Sequence, residues 1–170
     1  MKKINQKILM RPPKMSDLES SLRMINSLVE EKAMLTVQKK LTLKEEREYL
    51  EKIIKDRNSI HLFLIIDKEV MGSARVTKNN GTKNHIGELG ISLRKEARGK
   101  GLGEKLTKEV ISKAIKKFKL KIITLEVYSK NKIAQNLYKK MGFQKVGIIK
   151  EGIKYFDTYE DVVIMVKYIK

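Results

Sequence analysis

The chain has 170 residues, with 38 Lys or Arg against 20 Asp or Glu, for a net charge of +18. Its 41% hydrophobic and 34% charged residues exclude a disordered chain, and residues 1–170 are expected to form one domain with a full core. The absence of cysteine excludes disulfides, thiolate metal sites and a cysteine nucleophile.

No apolar run reaches the roughly 18 residues that a membrane span needs. Met1 to Lys7 lacks the apolar region of a signal peptide, so a cytoplasmic protein with no membrane partner is expected. The charge suggests an anionic partner, either a nucleotide cofactor or nucleic acid. Arginine is sparse, at positions 11, 23, 47, 57, 75, 94 and 98, and the lysines run along the whole chain. Nucleic acid is therefore suggested by net charge alone. Abundant Lys, Glu and Ile equally suit a thermophile-like surface.

Ile4 to Arg11 reads as a first strand, closed by Pro12-Pro13. Ser16-Asp17-Leu18-Glu19 has the spacing of a capping box, followed by Leu18, Leu22, Ile25, Leu28 and Val29 at helical spacing. Thr42 to Glu45 is a second capping box, opening a helix with Tyr49, Ile53 and Ile54 on one side. Ile60 to Ile66 and Glu69 to Thr77 form a hairpin about Asp67-Lys68. After a polar loop with an Asn-Gly step come a strand over His85 to Leu93 and a helix over Gly101 to Phe118, its inward face Leu102, Leu106, Val110, Ile111 and Ala114. Ile122 to Tyr128 is a strand expected parallel to the preceding one, since a helix crosses between them. Ile133, Leu137 and Met141 form the stripe of a further helix, stopped at Gly142. Phe143 to Lys154 and Tyr159 to Lys170 complete the chain as two strands.

Between the middle strand and its helix lies Arg98-Gly99-Lys100-Gly101-Leu102-Gly103, with Glu104 in the first helical turn. Glycines let a backbone approach a phosphate, and the first turn of a helix offers amides with no internal partner and a partial positive charge. The spacing is neither the dinucleotide fingerprint nor a Walker loop. It is R-x-x-G-x-G, which resembles the pyrophosphate loop of the GNAT superfamily of acyl-CoA N-acyltransferases. Asn131, Ala134, Leu137-Tyr138 and Gly142-Phe143 match that superfamily's second signature, N-x-x-A-x-x-L-Y-x-x-x-G-F. Tyr159 to Met165 resembles the last strand of the branch that holds amino-acid N-acetyltransferases and phosphinothricin acetyltransferase.

The resemblance implies an α/β (α+β) GNAT fold: a mixed, mostly antiparallel sheet of about seven strands, a splayed parallel pair at its centre, and four helices. It implies acetyl-CoA as cosubstrate and a primary amine as acceptor. Main-chain groups from Ile91 through Ser92 to Leu93 would hold the pantetheine arm, and the segment from Arg98 to Glu104 would wrap the pyrophosphate, mainly through amides. Asn131 would bond the pantetheine, with Ala134 beside it, and Tyr138 would sit near the thioester sulfur. No metal is implied. Relatives of this kind often dimerise through the C-terminal strands, and the Val162, Ile164, Val166 alternation would allow a homodimer or, equally, a strand facing its own helix.

Acetyl transfer to an amine sets chemical demands. An amine with a pKa of about 10 must lose a proton at neutral pH, and the departing thiolate is best given one. Tyr138 is the candidate acid, or else a tyrosine that closes the core. Glu88, a carboxylate in an otherwise apolar strand, and His85 are the candidate bases, although three residues apart on a regular strand they face opposite ways. Glu126 reads as an ion-pair partner. Lys130 and Lys132 are solvated or near phosphates, and Glu30 and Glu31 are carboxylates near an acceptor mouth. The alternatives are a basic nucleic-acid-binding protein or a CoA-binding sensor on the same scaffold.

Overall fold

The computed structural model describes residues 7–170. Seven strands form one sheet in the order β1-β2-β3-β4-β5-β7-β6. The strands are β1 (Ile8–Arg11), β2 (Ser59–Ile66), β3 (Glu69–Lys78), β4 (Ile86–Leu93), β5 (Ile122–Tyr128), β6 (Gln144–Tyr155) and β7 (Thr158–Tyr168). The helices are α1 (Leu18–Glu30), α2 (Leu43–Lys55), α3 (Leu102–Phe118) and α4 (Lys132–Lys140). Only β4 and β5 pair in parallel, joined by the α3 crossover, and the other pairs are antiparallel. This is the sheet and helix count that the sequence predicts. The predicted start of the first strand, Ile4 to Gln6, lies outside the described residues.

Local chemistry accounts for most element ends. The β2–β3 turn places Asp67 and Lys68 at φ of 49° and 72°, the two positive values of a tight hairpin turn. At α2 the capping box forms as predicted: the Thr42 hydroxyl accepts from the Glu45 amide at 3.3 Å, and the Glu45 carboxylate accepts from the Thr42 amide at 2.8 Å. Replacing Thr42 with Ala is expected to cost about 1 kcal/mol. In a chain of this length that lowers Tm by roughly 2–4 °C, readable by calorimetry.

The first predicted capping box does not form. A one-turn 3-10 segment, Met15–Asp17, precedes α1, and Asp17 holds this corner in place of Ser16. Its buried carboxylate accepts from the Lys14 amide at 2.8 Å and takes the Arg11 guanidinium bidentately at 2.7 and 2.8 Å. A charge-assisted pair outcompetes a neutral hydroxyl for the same corner.

Two helical stripes also differ from prediction. On α2 the buried residues are Glu46, Leu50 and Ile53, with Tyr49 and Ile54 exposed. On α4 Ile133 is 87% exposed, and Gln135 and Tyr138 face inward with Met141 beyond them. A nine-residue helix packed at its C-terminal end has no neighbour for an apolar residue in its first turn.

The helices cover the sheet unequally. On one face, Leu62, Val76, Leu89, Ile123 and Leu125 pack against the inward stripe of α3 and against Tyr138, Met141 and Phe143. On the other, Phe63, Ile65 and Val70 pack under Leu18, Leu28, Leu50 and Ile53 of α1 and α2. Each such side chain contributes roughly 1.5–3 kcal/mol by leaving water. The second layer stops at β3. Beyond it the same face of β3, β4 and β5 is open, with Arg75, Glu88, Gly90 and Glu126 exposed. Val162 and Val166 are buried within the single chain.

Candidate active site

The parallel β4–β5 pairing holds at Ile86↔Ile122, Gly87↔Ile123 and Glu88↔Thr124, and then ends. Past that point β4 continues to Leu93 paired with β3, and β5 continues to Tyr128 paired with β7. The two central strands therefore part for the length of Leu89 to Leu93. Main-chain groups on the facing edges, those of Leu89, Ile91 and Leu93 among them, have no strand partner across the gap, whereas the backbone of Ser92 is turned to Ser73 of β3. Unpaired backbone at the centre of a sheet is costly unless something pairs with it.

The glycine loop stands at the mouth of this gap. Gly99 and Gly101 both have φ of 71°, the left-handed region, and a Cβ at either would meet nothing within 4 Å. Gly103 has another reason: a Cβ there would come within 2.9 Å of the Leu93 side chain, so its absence seats α3 directly on the end of β4. Leu102, beside it, is buried. The first bond inside α3 runs from the Lys105 amide to the Gly101 carbonyl, and no side chain caps the helix. The amides of Leu102, Gly103 and Glu104 thus point out of the helix end beside the open backbone of Gly99 and Lys100. That is the donor set for an oxyanion. Glu104 does not oppose an anion with a free charge, because its carboxylate pairs with Lys108 one turn on.

The Arg98 side chain turns back from the loop. Its guanidinium donates to the Leu93 carbonyl at 2.7 and 2.9 Å and pairs with Glu31. The side chain thus ties the end of β4 to the segment after α1, while the loop's amides remain free. Lys100 is exposed at the loop's crest.

On the far side of the gap, Asn131 caps α4 by accepting from the Ala134 amide at 3.1 Å, which leaves its Nδ2 donor free for another partner. Gln135 was not legible as part of the site. Its Nε2 donates to the carbonyls of Tyr128 and Ser129 at 3.1 and 3.0 Å, which locks the end of β5 to α4. Tyr138 lies one turn further on, in the α3-side core and edge-on to Phe143 at 5.8 Å. Its hydroxyl makes no hydrogen bond among the described residues, and burial pushes its pKa up to about 12.

The carboxylates lie on the opposite, open face. Glu88 is exposed at the last pair before the strands part, and Glu126 is two residues further along β5 on the same face. Glu126 makes no ion pair among the described residues, contrary to the sequence expectation. Lys130 pairs with Glu160 at 2.6 Å, and Lys132 is exposed. His85 sits before β4 at the closed end of the parallel pair, where its carbonyl accepts from the Lys121 amide at 2.8 Å. The structure does not bring it to the gap.

Residues 31–41 run across this face. The Tyr155 hydroxyl donates to the Lys32 carbonyl at 2.5 Å, the Tyr128 hydroxyl to the Leu35 carbonyl at 3.3 Å, and the Gln38 amide to the Lys154 carbonyl at 2.8 Å. With Glu31 on Arg98, these bonds strap the α1–α2 connection between the glycine loop and the β6–β7 tip. Glu30 turns outward to Lys40.

Residues 25–143 match the Acetyltransferase (GNAT) family. The chain belongs to this family. Among solved structures it is similar to an acetyltransferase of the GNAT family from Streptococcus pneumoniae, with 27% identity and a TM-score of 0.84 over 96% of this chain and 100% of that one. It is similar to a chimera of the spermidine N-acetyltransferase of Vibrio cholerae, with 25% identity and a TM-score of 0.79 over 95% of each chain. It also shares its fold with a phosphinothricin acetyltransferase from Sinorhizobium meliloti in complex with acetyl-CoA, with 18% identity and a TM-score of 0.82 over 95% of this chain and 88% of that one.

Proposed function

We propose that this acetyltransferase moves an acetyl group from acetyl-CoA to a primary amine by direct attack in a ternary complex. The observation that carries the proposal is the parting of β4 from β5, with unpaired amides at its mouth. A diphosphate on the amides of Gly99 to Glu104 places an attached arm along the open edge of β4. There the main chain of Ile91 and Leu93, and Asn131 Nδ2 from the other bank, supply its hydrogen bonds.

The chain's own groups then divide the work between two faces. From the α3 side, Tyr138 holds a proton for the departing sulfur. From the open side, Glu88 receives the amine as an ammonium and draws its proton, directly or through water. The gap is where the two faces communicate, so an amine on one side and an acid on the other act on the same bond. His85 has no part in this scheme.

The test is thiol release from acetyl-CoA with a panel of amines: free amino acids, polyamines and lysine-containing peptides. Release with at least one acceptor is expected. Glu88→Gln should cut kcat/KM for the amine roughly 10²-fold with little change in acetyl-CoA affinity. Binding of acetyl-CoA without release on any acceptor would overturn the transfer reading, and no binding at all would overturn the assignment of the glycine loop.

A further inference from the structure

The open face carries a charge that the transfer reaction does not use. Arg75, in the middle of β3, stands opposite Gly90 of β4, while Thr77 stands opposite Glu88. Arg75 and Glu88 are therefore diagonal neighbours on adjacent strands, with β-carbons roughly 7 Å apart. They do not close on each other: neither makes an ion pair or side-chain hydrogen bond among the described residues, and both are exposed. Arg11, Arg23, Arg94 and Arg98, by contrast, all pair with carboxylates. Gly90 leaves room beside the guanidinium, since a Cβ there would meet nothing within 4 Å.

Among the other neighbours of Arg75 the counter-charge is Asp56, which closes no ion pair with it among the described residues. Across β2 lies His61, whose Nε2 is taken by the Ser73 hydroxyl at 2.6 Å. Burial first, and the Arg75 charge second, push its pKa down to about 4, so the ring is neutral at working pH. Tyr49 packs edge-on to that ring at 6.3 Å. The Asp56 carboxylate accepts from the Ser59 hydroxyl at 2.7 Å and the Asn58 amide at 2.8 Å, which, with the Arg75 charge, hold it below the usual carboxylate range and leave it an anion. Arg75 thus stands without an ion pair on the sheet face that also carries Glu88, level with the parting of the strands.

We propose that Arg75 is a specificity-determining residue of the acceptor site: its guanidinium takes the carboxylate of an acceptor whose amine lies toward Glu88. The favoured acceptor class is then an amine that carries a carboxylate, a free amino acid, rather than a polyamine or a lysine side chain. The guanidinium fork matches a carboxylate bidentately, and the same positive charge repels the second ammonium of a diamine, so one residue selects and rejects. This inference rests on the acetyl-transfer reading and adds the acceptor's second functional group to it.

The experiment compares an amino acid with the amine left when its carboxyl is removed. Wild type should favour the amino acid in kcat/KM by about 100-fold, the scale of one charge-assisted bidentate contact. Arg75→Gln should collapse that ratio toward one, with the loss falling on the KM of the amino acid. Arg75→Glu should invert the ratio and bring in diamines, a gain that misfolding cannot mimic. A wild type that prefers the decarboxylated amine, or an Arg75→Gln variant that lowers both acceptors equally, would overturn the proposal. Calorimetric titration of the amino acid into the CoA-loaded protein separates this inference from the reading beneath it. Binding that Arg75→Gln abolishes supports the role of Arg75 even if no turnover is found, and no binding by wild type refutes it.

Discussion

Tyr138→Phe is expected to lower kcat roughly 10²–10³-fold and to leave acetyl-CoA affinity nearly unchanged. The argument rests on where the hydroxyl is and what surrounds it. The ring is 6% exposed and wedged edge-on against Phe143, so phenylalanine keeps the packing and removes one oxygen. That oxygen has no hydrogen-bond partner among the described residues, so no structural bond is lost with it. A tyrosine whose role is packing alone would therefore tolerate the change within about twofold in kcat and about 1 kcal/mol in stability.

The pH behaviour follows with its sign. Burial penalises the tyrosinate and raises the pKa from near 10 to about 12. The stability tied to the neutral ring is fully present below pH 10 and is lost as pH rises through about 12. Tyr138 accordingly stays protonated across the working range. The alkaline limb of kcat that belongs to it should lie near pH 12 and vanish in the Phe variant, which a pH–rate profile checks.

Gly101→Val is expected to weaken acetyl-CoA binding roughly 10²-fold. At φ of 71° a β-branched residue is strained by roughly 1–3 kcal/mol, and no neighbour lies within 4 Å to hold the strained form in place. The loop will relax by turning its backbone, and that turn moves the amides of Leu102 to Glu104 off a common focus. Each tenfold in Kd corresponds to about 1.4 kcal/mol, so the strain alone accounts for one to two decades. Titration calorimetry with CoA measures it. Unchanged affinity would mean that the amides of this loop do not hold the cofactor. Gly103→Val tests a different cause: its Cβ would strike Leu93, so the expected effect is on Tm as well as on Kd.

Sequence alone determined the parts of this protein that depend on near neighbours. The inward stripe of α3, Leu102, Leu106, Val110, Ile111 and Ala114, is buried as its spacing predicts. The Thr42–Glu45 box forms because both partners lie within one turn. The left-handed turns at Gly99 and Gly101 were legible because backbone freedom is written into the residue type, and the β-α-β order around them fixes a parallel central pair. Where charge competed with local grammar, as when Arg11 drew Asp17 into the corner offered to Ser16, the sequence reading failed.

Tertiary structure decided which face each chemical group serves. Two contacts reach across large sequence separations, Arg98 to Glu31 and Tyr155 to Lys32, and no periodicity announces them. The same holds for Arg75 and Glu88. They are thirteen positions apart in the chain, and only the β3–β4 register sets them side by side on an uncovered face while Tyr138 stands behind the sheet. The physical reason is that strand pairing and helix packing are fixed by the whole core at once. A side chain's neighbours across the sheet follow from burial energies summed over many residues, whereas a cap or a glycine turn follows from the few residues that make it.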